Sequence, residues 1–129
     1  MERVIFCKGC RVQLHMLMPI RGPLSLPFKL MGIRTSRMNP NLCNMCEARF
    51  RKVWGTRHIV RPVTVLFVDI RGYTRLSQLA DSQELVDLLS DFYDYCASAI
   101  WERDGIVNKL MGDAILAIFN FPIARQDHI

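Results

Sequence analysis

From Val63 onward the apolar positions fall into runs that identify their own elements. Residues 63–69, VTVLFVD, form an unbroken β-branched and aromatic stretch closed by Asp69, the pattern of a buried central strand. Gly72 permits a sharp turn after it, and a short helix is predicted over 74–80. Asp81 and Glu84 then have the spacing of a capping box. Leu85, Leu88, Leu89, Phe92, Cys96 and Ala99 recur at intervals of three and four, which predicts an amphipathic helix over 82–102 with one core face. Cys96 belongs to that face as a small apolar residue, and Asp87, Asp91 and Asp94 form the solvated side. Beyond Asp104 and Gly105, IVNKLMGDAILAIF divides into two apolar strands around Met111 and Gly112, a β-hairpin with Asp113 at its turn.

The first 62 residues have no comparable rhythm. The stretch 11–42 holds four of the chain's six prolines and little periodicity. Only EARFRKVWGTRHIVR, between Glu47 and Arg61, reads as a short basic helix, broken at Gly55 and followed by a linker to Pro62.

Half of the 129 residues are apolar, 22% are charged and the mean hydropathy is +0.12. That balance is globular and excludes wholesale disorder and low-complexity architecture. No apolar run reaches the roughly 18 residues that span a bilayer. Cysteines stand where a signal peptide would carry its hydrophobic core, so a cytoplasmic protein with no membrane span is expected.

Charge changes the picture more. The net +5 conceals +10 over residues 1–62 and −5 over residues 63–129, and so sharp a change marks a domain boundary. The excess of cations permits contact with nucleic acid or an acidic lipid surface, but Phe50 and Trp54 are too few aromatics for a base-stacking platform, which disfavours nucleic acid. The cysteines divide at the same place. Cys7, Cys10, Cys43 and Cys46 form two CxxC pairs in the basic half, 32 residues apart, and only Cys96 lies in the acidic half. Two such hooks supply four thiolates to one tetrahedral ion, and a proline-rich segment without periodicity needs a staple to fold. Structural zinc is the favoured reading, with an iron–sulfur cluster and redox or disulfide chemistry as alternatives. The organisation expected is a cysteine-rich zinc-binding module over 1–46, a basic helix and linker over 47–62, and an α/β domain over 63–129.

In that domain one Asp closes the first strand and another stands at the hairpin turn. Two carboxylates on neighbouring elements of one sheet can hold divalent cations against a polyphosphate. An Asp at a strand end or in a Gly-Asp turn is often a turn residue and nothing more, so the residue pattern leaves both readings open.

VTVLFVDIRGYTRLS followed some thirty residues later by GIVNKLMGDAILAIFNFP and then DH resembles the class III nucleotide cyclases, the adenylate and guanylate cyclase family. The resemblance runs from about Arg61 to His128 with several motifs in order, and the cysteine-bearing segment ahead of it is similar, more loosely, to bacterial members. It implies the N-terminal part (a βαββ portion) of a ferredoxin-like α/β (α+β) catalytic domain, which works as a homodimer or as a heterodimer with another cyclase domain. It further implies that Asp69 and Asp113 bind two Mg²⁺ or Mn²⁺ ions, with the Ile70 carbonyl as a further ligand, in the conversion of ATP to cyclic AMP and pyrophosphate. Arg71, Gly72, Tyr73 and Thr74 match the turn that receives phosphate. Lys109 matches a base-reading lysine, and a lysine donor suits the N1 acceptor of adenine better than the N1–H of guanine, which favours ATP over GTP. His128 coincides with a recurrent family position but reads better as a structural residue.

The chain ends at Ile129, before the family's second base-reading residue, its ribose-orienting Asn and its phosphate-stabilising Arg. Weak metal and nucleotide binding with little or no turnover by this chain alone is therefore expected. Two function classes follow: the N-terminal part of an adenylate cyclase, or a non-catalytic zinc-binding interaction module that pairs with a full-length cyclase.

Overall fold

The structure, a computed structural model, describes residues 3–56 and 60–129. A two-stranded antiparallel ribbon, β1 (Ile5–Phe6) and β2 (Pro19–Arg21), encloses helix α1 (Lys8–Leu14). A 3₁₀ turn (Pro23–Ser25) leads into the five-residue α2 (Leu26–Leu30), and α3 (Asn44–Thr56) closes the basic half. The acidic half follows as β3 (Thr64–Asp69), α4 (Tyr73–Leu79), α5 (Ser82–Glu102), β4 (Ile106–Met111) and β5 (Ala114–Phe119). Its sheet has the order β3-β5-β4 with both pairings antiparallel.

Helix α5 occupies the predicted range, and the Asp81–Glu84 capping box is present. The hairpin also forms where the pattern placed it. Met111 pairs with Ala114, leaving Gly112 and Asp113 as a two-residue turn, and Gly112 has the positive φ of 67° that such a turn requires at its first position.

Two expectations need correction. The basic helix begins at Asn44, not Glu47, because the Cys43 carbonyl already accepts the Glu47 N–H at 3.1 Å. It also runs through Gly55 to Thr56; a helical glycine costs only about 1 kcal/mol, too little to end it. The part of the expected linker at 57–59 lies outside the described residues. The second correction concerns β3, which is neither central nor buried. β5 takes the middle of the sheet, and β3 lies at its edge with Val65, Leu66 and Phe67 exposed, Phe67 at 68%. An unbroken apolar run signals two covered faces, and among the described residues nothing covers these.

The halves that charge distinguishes share one core. Cys7, Cys10, Ile20, Leu42, Cys43, Cys46 and Phe50 from the basic half pack in a single buried cluster with Ile106, Ile118 and Ile123 from the acidic half. A second cluster, Ile100, Ile115 and Ala117 with Phe92 and Cys96 against it, seats α5 on the sheet. Polar contacts reinforce the junction. Met38 O accepts from the Val107 N–H at 3.0 Å and from Trp101 Nε1 at 2.8 Å. Asp104 forms ion pairs with Lys8 and with Arg125.

Asn39 is fully buried at this junction. Its Nδ2 donates to Gly105 O at 2.8 Å, and its Oδ1 accepts from the Asn41 N–H at 2.8 Å. Gly105 is required there, since a Cβ would lie 2.5 Å from the Phe119 ring and 2.8 Å from Ile100. Replacing Asn39 by Ala strands a donor and an acceptor, each worth about 1–3 kcal/mol when left unsatisfied. Asn39→Ala is therefore expected to lower stability by about 2–4 kcal/mol, read as a shift of the urea midpoint without a change of slope.

Candidate functional site

The two CxxC pairs meet because each occupies a helix start. Cys7 is the N-cap of α1 and its Sγ accepts from the Cys10 N–H at 3.4 Å. Cys43 and Cys46 stand at the start of α3, and the Cys43 N–H donates to the same Cys7 Sγ at 3.2 Å. All four sulfurs are buried and lie within 4.8 Å of one another, with Cys7–Cys46 at 3.7 Å and Cys10 at 3.6 Å from both Cys43 and Cys46. A tetrahedron of zinc–sulfur bonds of about 2.3 Å has S···S edges of about 3.8 Å, so the donor set and its spacing fit zinc. Gly9 is part of the same construction. A Cβ there would approach Cys46 Sγ to 2.8 Å and Leu42 to 3.1 Å.

Crowding four thiols sets their ionisation apart. Burial, then the neighbouring Cys7, pushes the Cys10 thiol up to about 12. Hydrogen bonding with Cys43 and Cys7 pushes Cys46 up as well, whereas hydrogen bonds from Cys46 and Cys7 hold Cys43 well below its ordinary value. A cation placed among them removes the repulsion that keeps the protons on.

The two aspartates singled out in the sequence stand at the other end of the sheet, Asp69 at the end of β3 and Asp113 in the turn before β5. Asp69 ends β3 directly opposite Ala114, and the Ile70 N–H donates to Asp113 O at 3.0 Å. Asp69, Ile70 and Asp113 therefore stand on adjoining backbone positions of neighbouring strands. Asp69 is exposed and Asp113 half-buried. The Ile70 carbonyl accepts from the Tyr73 N–H at 3.3 Å and retains a second lone pair. Gly72 takes a left-handed conformation, φ 75°, at the N-cap of α4. Arg71, Gly72 and Thr74 are exposed around it and Tyr73 is half-buried. Lys109 is exposed on β4 opposite Leu116, just after Asn108 bulges out of the ladder. His128 lies away from this group, with Nδ1 at 2.8 Å from Thr64 Oγ1, the structural role expected of it.

One residue here was not anticipated. Tyr93, half-buried on α5, donates its hydroxyl to Gly112 O and so holds the turn that carries Asp113. Burial, then the neighbouring Tyr73 and Asp113, raises its phenol above the ordinary value, which keeps the donor protonated. The sequence offers one signal for it, an aromatic with a polar tip at the margin of the apolar stripe of α5.

The acidic half is thus a mixed α/β unit: an antiparallel sheet, helices between its first two strands, and two aspartates at one end. Residues 57–129 match the family model of the adenylate and guanylate cyclase catalytic domain, and the chain belongs to that family. It is 42% identical over 60 residues to an adenylate cyclase of Anabaena cylindrica, covering 46% of this chain and 12% of that protein. With adenylate cyclase 1 of Rhizobium meliloti (strain 1021) it shares 32% over 66 residues, 51% of this chain and 10% of the other. The crystal structure of the guanylyl cyclase Cya2 superposes with a TM-score of 0.50 at 35% identity, covering 53% of this chain and 34% of that one. The chain therefore spans about a tenth of the length of these two relatives.

Proposed function

We propose that this chain contributes the metal-binding part of an adenylate cyclase active site, acting in the conversion of ATP to cyclic AMP and pyrophosphate, and that its four cysteines hold a structural zinc ion. The observation behind the cyclase reading is the β3–β5 register, with Ile70 bonded to Asp113 at 3.0 Å and Asp69 beside it. Two carboxylates and a carbonyl are hard oxygen donors suited to Mg²⁺ or Mn²⁺. When bound, such ions supply charge stabilisation for the triphosphate and ease ionisation of the ribose 3′-hydroxyl. Asp69, Asp113 and the Ile70 carbonyl would hold them. Arg71 and the exposed backbone around Gly72 would receive phosphate oxygens, and Lys109 would donate to adenine N1 and so favour ATP over GTP. A cleft of this kind is completed by a second cyclase domain, either another copy of this chain or a heterologous one.

A second reading, a non-catalytic module that docks on a full-length cyclase, draws on the exposed apolar edge strand β3. One assay separates the two: cyclic AMP formation from Mn-ATP by the chain alone, and by the chain mixed with an intact cyclase whose own two metal-binding aspartates are replaced. Rescue on mixing that Asp69→Ala in this chain abolishes is the expected result, and activity of the chain alone would support the same reading. Inhibition of an unmodified cyclase without rescue would establish the docking reading instead.

A further inference from the structure

From residue 3 to residue 46 the chain contains no Asp or Glu, while Arg3, Lys8, Arg11, Arg21, Lys29, Arg34 and Arg37 fall within that stretch. Three of these cations converge. Arg3, Arg21 and Lys29, with Ile5 and Gly22, line an open hollow of about 420 Å³, and Gly22 and Lys29 also border a neighbouring hollow lined by Pro23, Ser25 and Leu26. All three are exposed, and none forms an ion pair among the described residues. Like charges gathered without a counter-charge are a standing demand for an anion.

The same corner carries an apolar feature. Leu26, Leu30 and Met31, on and just after α2, are 63%, 84% and 78% exposed, and Leu24 beside them is 60% exposed. The segment is anchored in this attitude. Ser25 is buried, with Oγ donating to Gly22 O at 2.6 Å, and Gly22 adopts φ 92° in direct contact with the Val4 backbone, where a Cβ would lie 3.1 Å from Val4 Cα. The leucines and methionine are thus displayed by a fixed turn beside the cationic hollow.

We infer that this corner docks on an anionic lipid bilayer, with headgroup phosphates entering the hollow between Arg3, Arg21 and Lys29 and with Leu26, Leu30 and Met31 entering the acyl boundary. A cationic hollow beside protruding aliphatic side chains matches both layers of such an interface, its charge and its apolar depth. A nucleic acid would use the cations and leave the aliphatic side chains idle. A second copy presenting the same corner would set like charges against each other.

The test is flotation of the full chain with vesicles of phosphatidylcholine alone and of two parts phosphatidylcholine to one part phosphatidylglycerol, at low and high salt. Each cation near an anionic surface changes partitioning by about fivefold, so Arg21→Glu with Lys29→Glu is expected to weaken binding to the anionic vesicles by at least about 25-fold. Leu30→Ser with Met31→Ser, at positions too exposed to affect folding, is expected to weaken it several-fold at both salt concentrations. Retention on anionic vesicles with both losses supports the proposal. Equal binding to neutral vesicles, no binding at all, or an unchanged Leu30/Met31 variant overturns it. So does full competition by free glycerol phosphate, which would mark a phosphate site only, or equal affinity for a single-stranded oligonucleotide that the Leu30/Met31 variant retains. Sedimentation without lipid completes the test, because self-association lost in the Leu30/Met31 variant would show that a second copy is the occupant.

Discussion

Stripping the proposed zinc ion from the four-cysteine centre, or replacing Cys43 by Ser, is expected to unfold the whole chain and not only its first third. The four cysteines supply four of the ten buried residues in the cluster that also contains Ile106, Ile118 and Ile123. Closing a thiolate zinc site contributes about 10–16 kcal/mol of apparent folding free energy in small peptides at neutral pH, whereas small domains have total stabilities of about 5–15 kcal/mol. Losing the first is therefore enough to exhaust the second. The measurement is amide exchange with and without chelator. Loss of protection along β4 and β5 together with α1 and α3 is the expected result, and protection retained in β4 and β5 would show that the sheet stands alone. Proton traffic supplies a second readout. With Cys10 held protonated up to about 12 and Cys46 raised too, zinc uptake at neutral pH must expel protons, so affinity rises with pH and a pH-stat records acid release.

Asp113→Asn and Asp69→Ala are expected to weaken Mn²⁺ and Mn-ATP binding by about a hundredfold or more, while far-ultraviolet dichroism and zinc content stay unchanged. Removing even an outer-shell partner of a metal typically costs 10–100-fold, and these residues are proposed as direct ligands. Both lie at the end of the sheet remote from the shared core, where Asp69 is exposed and Asp113 forms half of a two-residue turn, so the fold does not depend on their carboxylates. Electron paramagnetic resonance of free Mn²⁺ during titration provides the measurement. Equal affinities in wild type and variants would reduce both acids to turn residues.

The acidic half was largely legible in the sequence because its elements are local. The spacing of Leu85 through Cys96, the 81–84 box and the Gly-Asp turn each act within a few residues, and each was found in place. The neighbourhood of Asp69 and Asp113 was legible only as two carboxylates on neighbouring elements of one sheet, and it is the pairing of β3 with β5 that brings their backbone positions together. Legibility failed where the cause is distant in sequence. The apolar run of β3 states that cover is needed and does not say whether this chain provides it. Nothing local marks Asn39, 66 residues from the carbonyl it satisfies. Gly9 looks like any glycine in a CxxC loop until α3 is laid against it. The change of charge at Pro62 reports what each half presents to solvent and carries no information about the packing beneath.

That packing bears on how such a chain can be inherited and re-engineered. Ile106, Ile118 and Ile123 are buried with residues that precede Pro62, so a cut made at the charge boundary would leave each piece with a raw apolar scar. Swapping the cysteine segment for an unrelated one, the usual traffic of modular proteins, would demand a replacement that fits the same isoleucines. The two segments are therefore expected to pass between lineages as a single cassette.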